Sequence, residues 1–199
     1  MLNKTPKKAK DLYKKVVKLI PGVEEKELRI KYSKHPKLDY AGLFLMDEWL
    51  YTKFKIIVKR PKIGIDQKFM DLENSEQEAI IAHELGHYKR ERRYNTKELK
   101  TLLTRLNKMH GLFDDRKISP HNGARLIQWY VLHEIYADNV AIDAGYGQPL
   151  LSFLKKMYQV YETLPDFLKY DQKFLSKRIE FNKKSLVIRI KNLEDKLKD

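Results

Sequence analysis

Ala79-Ile80-Ile81-Ala82-His83-Glu84-Leu85-Gly86-His87 is the stretch from which the rest of the chain is read. Histidines four residues apart stand one turn apart on the same helix face, so both imidazoles reach a single Zn²⁺. Glu84 projects beside that pair, where a carboxylate takes a proton from metal-bound water. Ser75-Glu76-Gln77-Glu78 reads as an S-x-x-E capping box, and Ala79, Ile80, Ile81, Ala82 and Leu85 give the helix an apolar body. The plainer alternative is an amphipathic helix that carries two histidines by chance. The uncharged Leu85-Gly86 pair and the apolar run before the motif favour the metal. The motif therefore predicts a zinc metallopeptidase, with His83 and His87 as ligands and Glu84 as the catalytic base.

Composition limits what else the chain can be. At 199 residues, 34% charged and 42% apolar, it is long enough to bury a core and reads as one domain over 1–199. It has no cysteine, which excludes disulfides, thiolate nucleophiles and cysteine zinc sites. Any zinc must sit on His and Asp/Glu, the donor set of catalytic sites. The net charge of +14 is read first as a solvated, thermophile-like Lys/Glu surface. A face for nucleic acid or anionic lipid is the less favoured reading. No apolar run reaches transmembrane length, and the lysine-rich start lacks the apolar core of a signal peptide, so the expected location is cytoplasmic.

Element signals follow in order. Thr5-Pro6 reads as cap and first turn of a helix whose stripe is Leu12, Tyr13, Val16, Val17, Leu19 and Ile20, stopped by Pro21-Gly22. Strand patterns cover Leu28 to Tyr32, Ala41 to Met46, Phe54 to Lys59 and Ile63 to Asp66. An edge strand above the zinc helix would pair with an extended substrate. Lys89-Arg90-Glu91-Arg92-Arg93 places cations at the end of the zinc helix, complementing its dipole. Helical patterns then run from Thr96 towards Leu106, from Ser119-Pro120 to about Ala144, from Pro149 to Tyr161 and from Lys173 to Leu197. Gly145-Tyr146-Gly147 ends the longest of these.

A catalytic zinc takes a third protein ligand, and two residues compete for that place. Glu134, in His133-Glu134-Ile135-Tyr136-Ala137-Asp138, lies on the long helix with Asp138 one turn further along the same face. There Asp138 can accept the second ring N–H of a zinc histidine. The rival is His110 in Met109-His110-Gly111, with His121 and His133 as lesser options. His133 is expected beside the ligands or on the surface, and His35 on the surface.

The span from Ile56 to His87, with Ser75-Glu76-x-Glu78 ahead of the motif and Glu134-x-x-Ala137-Asp138 after it, resembles the Ste24/HtpX gluzincin family. The Lys89-Arg90 tail is also similar to the β-lactam-sensor peptidases. The resemblance implies His83, His87 and Glu134 as zinc ligands, Glu84 as catalytic and Asp138 as supporting. It implies an α+β, mostly helical, zincin-like fold, with a small β-sheet packed over the HExxH helix and a Glu-bearing helix. The core would span about 40–145, with helical extensions at 1–22 and 149–199. The activity implied is zinc-dependent endopeptidase cleavage of protein or peptide substrates. Members of that family carry transmembrane helices, so the likeness is to their catalytic core. Many also have a His-Pro ahead of a late Arg-Ile. No histidine stands near Gln172 to Ile179, which leaves Arg178 and Tyr136 as the candidates for substrate contact. Two other readings stand beside this one. One is a SprT-like DNA-associated protease with His110 as third ligand, and the other a catalytically silent or latent zincin-fold binding protein.

Overall fold

The computed structural model describes residues 5–32, 62–65, 67–94, 97, 98, 101, 104, 105, 120–163 and 173–198. The expected strands at Ala41–Met46 and Phe54–Lys59, together with His35 and His110, lie outside them. In chain order the elements are α1 (Lys7–Val17), β1 (Arg29–Tyr32), β2 (Lys62–Ile65) and the single turn α2 (Gln67–Met70). Then follow α3 (Asn74–Glu91), α4 (Pro120–Asp143), α5 (Gly147–Thr163) and α6 (Lys173–Lys196). The described part is therefore mostly helical with a small sheet, as the patterns predict.

Helix α1 buries its stripe of Ala9, Leu12, Tyr13, Val16 and Val17 against α3. Its start differs from expectation, because no side chain caps it. Thr5 is used otherwise. Its hydroxyl donates to the Ile30 carbonyl at 3.1 Å and accepts from the Tyr32 N–H at 3.3 Å, fastening the chain start to β1. Strands β1 and β2 pair in parallel, with Ile30 opposite Ile63 and Tyr32 opposite Ile65. Ile30, Ile63 and Ile65 are all buried.

Helix α3 is buried nearly all round, as expected of a helix at the centre of a helical domain. Its start also corrects the sequence reading. The helix begins at Asn74 with Glu73 as N-cap and no capping side chain, so Ser75 and Glu78 already lie inside it. Each buried polar residue of the first turns has an outside partner. Glu76 accepts from Lys156 at 2.7 Å and Ser152 at 2.9 Å, while Glu78 accepts from Lys15 at 2.8 Å. The Gln77 amide donates to the carbonyls of Met70 and Leu72, which closes the turn between α2 and α3. At the other end the basic residues make specific contacts. Arg92 pairs with Glu27 at 2.8 Å, and Arg90 donates to the Tyr94 hydroxyl at 2.8 Å.

Helix α4 packs along α3, and α5 and α6 pack on each other and on α4. The α3–α4 approach is set by Gly86. A Cβ there would lie 2.8 Å from the Ala137 Cα and 3.0 Å from its carbonyl oxygen, so only glycine lets the two backbones come this close. Helix α4 ends where Gly145 takes φ +85°. The Tyr146 N–H reaches the Ala141 carbonyl at 2.9 Å and the Gly145 N–H reaches Ile142 at 2.8 Å, the paired bonds of a Schellman stop. No described helix is long and apolar enough to cross a membrane.

Candidate metal centre

The Gly86–Ala137 crossing turns His83 and His87 of α3 towards Glu134 and Asp138 of α4, with Glu84 beside them. All are buried or nearly so; His83, Glu84 and His87 are 7–8% exposed and Asp138 is 0%. The two Nε2 atoms lie 3.1 Å apart. Glu134 presents one oxygen to each of them, at 3.5 Å from His83 and 3.4 Å from His87. Ligands bound at about 2.1 Å in a tetrahedron sit ~3.4 Å from each other. The three residues bring donor atoms to separations close to those of a tetrahedral metal shell, and the two imidazole planes stand at 90°. Glu84 stands further back, its Oε1 3.9 Å from His83 Nε2.

Asp138 accepts from His83 Nδ1 at 2.8 Å, which orients the ring so that Nε2 lies on the Glu134 side. Both α4 carboxylates are held by a residue that the sequence patterns did not single out, Arg189 of α6. Its Nε and Nη2 donate to the two oxygens of Asp138 at 2.8 and 2.7 Å, and its Nη1 reaches Glu134 at 2.8 Å. The one hint in the sequence is a lone cation within Leu186-Val187-Ile188-Arg189-Ile190, hidden among 41 lysines and arginines.

Electrostatics follow from this packing. Burial alone would push Glu134 up, but Arg189 and the histidines override it and hold the carboxyl well below its usual range. Burial opposes the Asp138 charge as well, and Arg189 and His83 again lower its pKa. Burial lowers His83, yet bonds to Asp138 and Glu134 outweigh it and lift the ring to about 10. His87 is lowered, mainly by burial, and so offers a neutral lone pair. Burial raises Glu84 to about 8. Tyr130, one turn before Glu134, is raised first by the Glu134 charge and then by burial, so its hydroxyl keeps its proton.

His83, Glu84 and His87 lie close enough together to hold an ion, and so does a second group, His87, Glu91 and His133. Its geometry is poorer. His87 and His133 are stacked with centroids 4.9 Å apart and planes only 18° from parallel, so their lone pairs run side by side instead of converging. His133 is buried, and burial followed by the repulsion of His87 lowers it to about 3. Tyr136 sits under the Arg90 guanidinium, 5.1 Å from the ring centroid. Arg178 and His121 belong to α6 and α4, and their side chains fall outside the described residues. Compared with protein-family models, curated proteins and solved structures, the chain matches none.

Proposed function

We propose that this chain is a zinc-dependent endopeptidase of the gluzincin arrangement, with His83, His87 and Glu134 as ligands and Glu84 as general base. The observation that carries the reading is the approach of donors from His83, His87 and Glu134 to 3.1–3.5 Å, with the Glu84 carboxylate 3.9 Å from His83 Nε2 beside them. When bound, Zn²⁺ would polarise the scissile carbonyl and bring the pKa of water down towards about 7. The chain's own groups do the rest. Asp138 orients His83, and Arg189 fixes Glu134 and Asp138 together. Glu84 removes a proton from the attacking water as its oxygen bonds to the carbonyl carbon, then delivers that proton to the amine nitrogen as the C–N bond breaks.

Bound-zinc stoichiometry and casein cleavage, measured together, test this. Wild type is expected to hold one zinc and to cleave; Glu84→Gln keeps the zinc and loses cleavage; Glu134→Ala loses both; His110→Ala loses neither. Wild type without zinc, or Glu84→Gln with full activity, would sink the assignment. Loss of zinc in His110→Ala instead of Glu134→Ala would transfer it to the DNA-associated class.

A further inference from the structure

A solvated surface of lysine and glutamate interleaves the two signs. Helices α5 and α6 follow that rule, pairing Lys155 with Glu194, Lys183 with Glu162 and Lys184 with Glu180. Helix α1 breaks it. Its outward side carries Lys7, Lys8, Lys10, Lys14 and Lys15, with Lys18 at the C-cap, against the single acid Asp11, and all of these are exposed. Lys14 and Lys15 are drawn to Glu25 at 3.6 Å and Glu78 at 2.8 Å. Lys7, Lys8, Lys10 and Lys18 have no carboxylate partner among the described residues. Stability does not account for them either. Lys7 and Lys8 occupy the first turn, where the helix dipole disfavours cations, and no acid stands there.

The face has a definite form. Lys7, Lys10, Lys14 and Lys18 follow at steps of three or four residues, which makes a single stripe about 16 Å long. Over that length one strand of a duplex presents about five phosphates. Two features narrow the partner. The apolar side of α1 is already committed to the core, with Ala9 and Val16 0% exposed, so the helix cannot sink into a bilayer as an interfacial helix does. Its one aromatic, Tyr13, is buried with its hydroxyl on the carbonyls of Glu25 and Leu28, and the exposed side holds no arginine, asparagine or glutamine. The face therefore has neither a platform for unstacked bases nor a reader of base edges, and only the backbone charge is left to recognise.

We propose that the lysine face of α1 is a docking surface for the phosphate backbone of double-stranded nucleic acid, held without regard to base sequence. This is a property of α1 alone, separate from the metal cluster and from the peptidase reading.

The test is fluorescence anisotropy of the full chain with labelled duplexes of about 20 base pairs, one DNA and one RNA, and with the matching single strand. One variant joins Lys7→Gln, Lys10→Gln, Lys14→Gln and Lys18→Gln. A control removes the same charge from exposed positions of α5 and α6, as Lys155→Gln, Lys184→Gln, Lys191→Gln and Lys196→Gln. Wild type should bind a duplex with a Kd of roughly 1–100 μM at physiological salt, and the tighter duplex names the form. The α1 variant should keep its melting transition and bind about tenfold more weakly or worse. Its slope of log K against log salt should shrink by about 3–4, roughly 0.9 for each lysine removed. The control should lose less than about threefold. Absence of saturable duplex binding by wild type overturns the inference, and so does an unchanged affinity in the α1 variant. Equal losses in the two variants overturn it as well, because net charge alone would then explain the binding. A single strand bound as tightly as the duplex has the same effect. So do phosphatidylcholine vesicles with about 30% phosphatidylserine bound as tightly as the duplex, which would make the face a lipid-facing one. Should the fourfold variant fail to fold, Lys10→Glu alone takes its place, and unchanged duplex affinity there defeats the proposal.

Discussion

Replacing Arg189 by methionine keeps much of the side chain's length and removes the guanidinium that bonds Glu134 and Asp138 together. Three hydrogen bonds of 2.7–2.8 Å disappear, and Asp138, 0% exposed, keeps only His83 as a partner among the bonds described. Removing one member of a buried ion pair typically costs about 3–5 kcal/mol, because the remaining charge has lost its water without compensation. For a chain of this size each kcal/mol moves the melting midpoint by roughly 2–4 °C, so the metal-free variant should melt about 10–15 °C lower. The sign of the pH dependence is fixed too. Both carboxyls have depressed folded values, so their contribution is full above the unfolded carboxylate pKa of about 4 and is lost as pH falls through the folded values. The gap between wild type and variant should be widest near neutrality and narrow in acid. Thermal denaturation followed by circular dichroism at pH 7 and pH 3 measures both. A midpoint change under about 2 °C at pH 7, or a gap that widens in acid, would refute the account of Arg189 as the clamp of the site.

Gly86→Ala should be destabilising by roughly 1–3 kcal/mol despite alanine's better helix propensity, since the new methyl meets the Ala137 backbone at 2.8–3.0 Å. Zinc titration of that variant should show weaker binding, and unchanged stability and affinity would mean that the helices part at no cost. Metal uptake should release protons near pH 7, because His83 at about 10 and Glu84 at about 8 both carry one in the metal-free chain. Apparent affinity should accordingly rise at least tenfold per pH unit between about 6 and 8, and calorimetry in buffers of different ionisation enthalpy reads the release directly. Both values are raised, so metal-free stability should decline with rising pH, for Glu84 between about 4.5 and 8 and for His83 between about 6.5 and 10.

Periodicity made the helices legible. α4 and α6 fall within a residue or two of the spans read from their apolar patterns, and Gly145 stops α4 as the Gly-Tyr-Gly signal predicts. Spacing along a single helix likewise made His83, Glu84 and His87, and the Glu134–Asp138 pair, visible as local patterns. Capping was read poorly, because Thr5 and Glu78 both find more distant partners in the tertiary structure than the adjacent backbone. What the sequence hides is whatever depends on two helices meeting. Gly86 counts in the sequence only as part of an uncharged pair that favours the motif, yet its missing side chain is what lets α3 and α4 approach closely at Ala137. Arg189 escapes for the same reason. It is a single cation in a basic helix, with no local pattern that points at Glu134 and Asp138. His133 was read between support and surface, and only the packing of α3 on α4 shows it stacked on His87.

The origin of Arg189 also bears on the order in which the site is made. Protein synthesis runs from α3 and α4 to α6, so the carboxylates of Glu134 and Asp138 emerge about fifty residues before the guanidinium that holds them. Until then the two carboxylates face the histidines of α3 without that guanidinium. Docking of α6 brings its three N–H donors to both of them. The cluster is therefore completed late, by a nearly finished chain, and not by the motif as it leaves the ribosome.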